Sequence, residues 1–163
     1  MTAIPLVALI GRPNVGKSTL FNRLIRGDRA IAHDRPGVTR DRMHGEVNRL
    51  GLHFGVVDTG GVSLDASGAA GPGPEGLRGF EGQVLDQARQ AIAQAQGILL
   101  VLDGREGLLP LDERLAQYLR QSGKPVLAVV NKVDGEELEA RLVPEFHSLG
   151  LDLEAVSAAH GYG

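Results

Sequence analysis

The sequence predicts a three-layer α/β fold on a mostly parallel sheet with one antiparallel strand. Three observations carry this. Short, continuous apolar runs recur along the chain, as expected for strands buried on both faces. Segments with helical spacing alternate with them, which is the pattern of strand–helix–strand units. A glycine-rich loop joins the first apolar run to the first helical segment. The first run is Leu6-Val7-Ala8-Leu9-Ile10. Helical spacing then begins at Lys17 and brings Leu20, Phe21 and Leu24 to one side. Residues 45–58 hold two strand-like segments around Leu50-Gly51, read as a hairpin that adds the antiparallel strand. The runs at 97–102 and 125–130 lead to Asp103 and Asn131. Helical patterns are expected at about 81–95, 111–121 and 136–149.

At 163 residues and 42% hydrophobic content, the chain fits one globular domain spanning 1–163. Aromatics are only 4%, so the core must be built largely from Val, Leu, Ile and Ala. The formal charge of -3 carries no global basic signature of nucleic-acid binding. The absence of cysteine removes disulfides and thiolate metal sites. No apolar run approaches membrane-spanning length and no basic leader opens the chain, so a cytoplasmic protein without membrane contact is expected. Residues 63–79, rich in Gly, Pro, Ala and Ser, are expected to form a loop ordered by nucleotide.

Residues 11–18 read Gly11-Arg12-Pro13-Asn14-Val15-Gly16-Lys17-Ser18, a complete GxxxxGK[ST] motif continued by Thr19. The glycines permit a tight turn whose N–H groups converge on a β-phosphate, reinforced by the positive end of the following helix. Lys17 supplies a point charge between the β- and γ-phosphates, and the Ser18 hydroxyl a ligand for Mg2+. This defines a phosphate-loop (P-loop) NTPase fold, like that of the small GTPases. Thr39 lies in an Asp-Arg-Pro-Gly-Val-Thr-Arg-Asp segment and is expected to complete Mg2+ coordination as a switch residue. The neighbouring Arg35, Arg40 and Arg42 read as surface or partner charges rather than an arginine finger.

Two aspartates end apolar strands. Asp58 is followed by Thr59-Gly60-Gly61, which lets a backbone N–H approach a γ-phosphate, so Asp58 is assigned to Mg2+ through water. Asp103 is read as part of a plain turn. Val62 stands where small signalling GTPases carry a water-orienting glutamine, so intrinsic hydrolysis is expected to be slow. In Asn131-Lys132-Val133-Asp134, the Asp134 carboxylate can accept from guanine N1–H and the exocyclic amine, a donor pair adenine lacks. Asn131 holds neighbouring loops, the Lys132 stem covers the ring, and Ser157-Ala158 offers a backbone N–H to the guanine oxygen. His33, His44, His53, His147 and His160 show no metal-ligand spacing.

These residues resemble the first GTPase domain of the bacterial EngA/Der family of tandem GTPases. The resemblance rests on GRPNVGKSTLFNRL, PGVTRDR, VVDTGG, NKVD, Phe146-His147-Ser148-Leu149-Gly150 and Ser157-Ala158-Ala159-His160-Gly161, and it spans essentially the whole chain. It implies a cytoplasmic switch that cycles between GTP and GDP and assists maturation of the large ribosomal subunit. It also implies that Asn14 is a candidate K+ ligand near the phosphates and that Val62 is the family's hydrophobic replacement of glutamine. Family members carry a second GTPase domain and a small C-terminal domain. The resemblance implies that the 163 residues are a fragment of such a protein, and the final helix that normally covers the sheet is expected either to be trimmed or to be replaced by cover from elsewhere. A GTPase module of a tRNA-modification protein and a non-catalytic GDP/GTP-sensing module are the competing readings. A phosphate-loop kinase would have no use for Asp134.

Overall fold

The computed structural model describes residues 4–13, 15–26, 43–49, 51–58, 85 and 88–163. Six strands form one sheet: β1 (Leu6–Ile10), β2 (Met43–Arg49), β3 (Leu52–Asp58), β4 (Gly97–Asp103), β5 (Val126–Asn131) and β6 (Asp152–Ala155). Their order is β2-β3-β1-β4-β5-β6. Only β2 pairs antiparallel, through the hairpin with β3. All other pairings are parallel. The expected α/β class, with a mostly parallel sheet and one antiparallel strand, is borne out.

Period-two side-chain alternation divides the strands between two cores. Ala8, Ile10, Ile98, Leu100, Leu102, Ala128 and Val130 pack on one face under α2 (residues 88–94) and α3 (Pro110–Gln121). Leu9, Val101 and Val129 point to the other face, under α1 (Lys17–Arg26). β1, β4 and β5 bury side chains toward both faces, which is why they read as unbroken apolar runs instead of alternating ones, although Leu99 and Leu127 on the α1 face are only partly buried. The scarcity of aromatics leaves one large ring to anchor each core. Phe21 on α1 and Phe146 beyond β5 are both about 1% exposed or less, and burial of each is worth about 1.5–3 kcal/mol.

Helix α1 presents Leu20, Phe21, Leu24 and Ile25 to the sheet, adding Ile25 to the expected stripe. Helix α3 buries Leu111, Leu115, Ala116 and Leu119. Its start is set by Pro110 in the first turn and by Asp112, whose Oδ2 accepts the Leu109 N–H at 3.0 Å. The end of α2 is tied to the connection between α3 and β5 by Lys124, which donates to the carbonyls of Ala95 at 2.7 Å and of Ile92. A cation at a helix C-terminus satisfies orphan carbonyls and complements the dipole.

The single helix expected over residues 136–149 needs correction. Helix α4 covers Glu136–Leu142, and a 3-10 helix follows over Pro144–Leu149. Pro144 lacks the N–H that would continue the α ladder, and its ring crowds the preceding turn. Phe146 N–H bonds Val143 O at 2.9 Å, the tighter spacing. This change of winding turns Phe146 into the core. The expected helix at 81–95 is helical over 88–94, while residues 63–79 and the switch segment around Thr39 lie outside the described residues.

Candidate functional site

Parallel pairing brings the motif-bearing strand ends to one edge of the sheet. Leu9 on β1 is level with Asp58 on β3, and Asp103 on β4 is level with Asn131 on β5. The strand order reverses direction around β1, so the loop leaving β1 opens into the crevice where ligands of such sheets bind. Gly11 begins that loop because a Cβ there would sit 2.4 Å from the Val101 carbonyl oxygen. Gly16 has φ +98, and its Cβ would meet Asn131 Nδ2 at 2.2 Å. The two glycines of the motif thus answer to strand packing and to the base-reading segment as well as to phosphate.

Lys17 opens α1 and is buried. Its Nζ donates to Gly11 O, and to Arg12 O at 3.2 Å. Burial lowers its pKa to about 8; the Asp58 charge opposes that shift and Arg12 adds to it. Ser18 Oγ donates to Asp58 Oδ2 at 3.1 Å, and Asp58 is fully buried. A hydroxyl and a buried carboxylate in contact form a hard-oxygen pair suited to Mg2+. Val15 is buried in the α1 core, while Pro13 and Thr19 lie closer to solvent.

Arg12 departs from a simple phosphate-facing role. Its backbone belongs to the loop, but its side chain turns away and is buried against the start of α3. Nε donates to Asp112 Oδ1 at 2.8 Å and Nη1 to Glu106 Oε2 at 3.1 Å. Among the described residues, Nη2 has no hydrogen-bond partner. Burial alone would lower the Arg12 pKa, but the two carboxylates outweigh it and hold the guanidinium charged. Burial raises the pKa of Asp112 against the opposing pull of Arg12 and the Leu109 amide.

Asn131 joins the parts of the site. Its Nδ2 donates to Val15 O at 2.9 Å, and its Oδ1 accepts the Ala158 N–H at 3.0 Å. The turn after Ser157 is closed by His160 and Gly161 N–H groups on Ser157 O, and Arg23 of α1 donates to Ala158 O and to Ala159 O at 3.2 Å. An open cleft of about 240 Å3 results, lined by Gly16, Thr19, Lys132, Asp134, Ser157 and His160 among others. Asp134 is exposed at its edge. Lys132 has φ +66, and its Nζ donates to Asp103 Oδ2 at 2.8 Å.

The structure therefore gathers Gly11, Gly16, Lys17, Ser18, Asp58, Asn131, Lys132, Asp134, Ser157 and Ala158 along one edge. Asn14, Thr39, Thr59, Gly60, Gly61 and Val62 lie outside the described residues. Asp103, read from sequence as turn-forming, is buried and holds Lys132; its place level with Asn131 was the available signal. The Arg12 pairs and the Arg23 pin had none, since each joins residues about a hundred or more apart. Among the described residues no group of three or more His, Cys, Asp or Glu is placed to hold a metal, and no helix is long and apolar enough to cross a membrane.

The low Lys17 pKa has opposite consequences for binding and for stability. Phosphate needs the ammonium, so affinity for GDP should be constant below about pH 7 and fall as pH rises through about 8. Between about 8 and 10.5 the unfolded chain binds more protons than the nucleotide-free fold, so this group's contribution to stability rises over the same range. Titration calorimetry and thermal melts across pH 6–10 check both signs.

A glycine-rich loop between a central parallel strand and a helix, with an asparagine bridging it to a second loop, defines a phosphate-loop nucleotide-binding domain. The sequence model of the 50S ribosome-binding GTPases matches residues 6–132, and the chain belongs to that family. It is 63% identical over 157 residues to the GTPase Der of Nitratidesulfovibrio vulgaris, covering 96% of this chain and 32% of that protein. With the GTPase Der of Maridesulfovibrio salexigens it shares 53% identity over 159 residues, 98% of this chain and 34% of that one. The chain thus spans about a third of the length of these relatives and matches their N-terminal part. The resemblance drawn from the motifs is borne out. Among solved structures, the G domain of the T. maritima FeoB iron transporter superposes with a TM-score of 0.60 at 23% identity, over 99% of this chain and 92% of that one, a likeness of fold.

Proposed function

We propose that this chain is a GTP-binding switch domain that hydrolyses GTP to GDP and phosphate, working in the cytoplasm as part of a factor for large ribosomal subunit assembly. One observation carries the reading: Asn131 bonds both the phosphate loop at Val15 and the turn at Ala158. This bridge sets phosphate binding and base reading at a fixed separation around one cleft.

In this reading the loop amides and Lys17 hold the phosphates, with the ammonium exchanging the Gly11 and Arg12 carbonyls for phosphate oxygens. Ser18 and Thr39 would hold Mg2+ with support from Asp58, and an ion bound there would supply positive charge beside the phosphates. Asp134 accepts from guanine, Lys132 lies over the ring, and the Ala158 region donates to the guanine oxygen. Gly60 approaches the γ-phosphate, and Thr39, Thr59, Gly61 and Val62 belong to the segments that respond to it. Val62 offers no group to orient water, so unaided turnover is slow, on the order of 10⁻⁴ s⁻¹ or less. Asn14 is the candidate K+ ligand that raises it. Equal turnover in Na+ and K+ buffers would remove the K+ assignment.

The family name and the relatives called GTPase Der support the ribosomal reading. Titration of the chain with GDP, GTP, ADP and ATP tests the core of it. Guanine nucleotides should bind and adenine ones should be weaker by a hundredfold or more, in line with a few kcal/mol for an unpaired reader. Equal affinity for both purines overturns it.

A further inference from the structure

The segment between β4 and α3 touches both ends of the site. At one end the Asp103 carboxylate accepts Lys132 Nζ at 2.8 Å and, through Oδ1, the backbone N–H groups of Arg105 at 2.9 Å and Glu106 at 3.1 Å. At the other end Glu106 and Asp112 hold Arg12 of the phosphate loop. Burial would raise the Asp103 pKa, yet these donors outweigh it and keep the carboxyl below the usual carboxylate range. Asp103 is therefore a fixed anion, locked from its own loop before Lys132 reaches it.

Lys132 is the residue that gains from such a lock. It occupies the left-handed region, which a side-chain-bearing residue rarely adopts, and its side chain is 38% exposed. A long lysine stem at that exposure samples many rotamers, and a base stacking on it would have to order them on binding. Tethering the ammonium removes that cost beforehand.

We propose that Asp103 is a positioning residue for the purine: it sets the Lys132 stem as a preformed wall of the base cleft, and the 103–112 segment ties that wall to the phosphate loop through Arg12. The inference rests on the guanine-nucleotide reading and adds to it a residue outside the sequence motifs. Asp103 makes no contact with nucleotide in this scheme. Its effect passes entirely through Lys132, which makes the pair testable as a cycle.

The experiment is GDP titration of the full chain and of Asp103→Asn, Lys132→Met and the double variant, with thermal melts of each. Lys132→Met keeps an apolar stem and drops the tethered ammonium, and its partial exposure makes it tolerable to the fold. Each single variant should weaken GDP binding about tenfold, and the double variant should bind within about twofold of Lys132→Met. Three outcomes overturn the proposal: wild-type affinity in Lys132→Met, wild-type affinity in a folded Asp103→Asn, or fully additive losses in the double variant. If Asp103→Asn does not fold, Asp103→Glu, which keeps the charge but displaces it from Lys132, takes its place in the cycle, and wild-type GDP affinity in that variant overturns the proposal. A wild-type chain that binds ADP as well as GDP overturns the functional reading itself, and that result is visible before any variant is made.

Discussion

Lys17→Ala is expected to weaken GDP and GTP binding by about 2–5 kcal/mol, roughly 30- to 5,000-fold. The size follows from where the ammonium sits. Lys17 is 6% exposed, and burial has already drawn its pKa down to about 8. A charge held in that setting meets a phosphate with little competing water, so its Coulomb contribution is larger than that of a surface lysine. The same burial argues that alanine will not unfold the domain, because the variant removes a desolvated charge. Asp58 keeps its bond from Ser18. Thermal stability of the nucleotide-free variant should therefore be near wild type while binding is lost. Retained micromolar affinity would place the triphosphate site elsewhere.

How much of this was legible in the sequence depends on the range over which each feature is determined. The strands β1, β4 and β5 were readable because burial on both faces imposes unbroken apolar runs, and the parallel order then fixed which ends the motifs occupy. The hairpin of β2 and β3 was readable from Gly51, which has φ +79 at the turn. Helical spacing at 136–149 was read correctly as helix-forming, but Pro144 splits it. Periodicity alone does not distinguish a continuous helix from an α turn followed by a 3-10 turn with the same apolar residues inward. The catalytic and base motifs are local in sequence and so were visible. The bonds that position them are not: Arg12 meets Asp112, Lys132 meets Asp103, and Arg23 meets Ala158 only after the sheet has assembled. Bonds of this kind leave no periodic trace, because in the sequence each partner alone reads as an ordinary polar or small residue.

Asp134→Asn should exchange one purine for another without harming the fold. Asp134 is exposed, so the substitution buries nothing and unpairs nothing in the core. In the proposed reading the carboxylate accepts two hydrogen bonds, from N1–H and the exocyclic amine of guanine. An amide accepts one and donates one, so its NH2 would face the guanine amine, donor against donor. Xanthine carries an oxygen in place of that amine and restores the match. Loss of one charge-assisted bond plus the donor clash should cost GTP about 3–4 kcal/mol, roughly 100- to 1,000-fold, while xanthosine triphosphate gains by a comparable factor. The crossing of the two affinities is the informative result, since general damage to the site would weaken both nucleotides together. The roles proposed for Lys17 at phosphate and Ser18 at Mg2+ are untouched, and Asn131 still bridges Val15 and Ala158 to keep the cleft in register. Competition titration with GTP and xanthosine triphosphate on both proteins measures it. Unchanged guanine preference in the variant would move base reading from Asp134 to the Ser157 turn, where backbone groups see the guanine oxygen but not its amine.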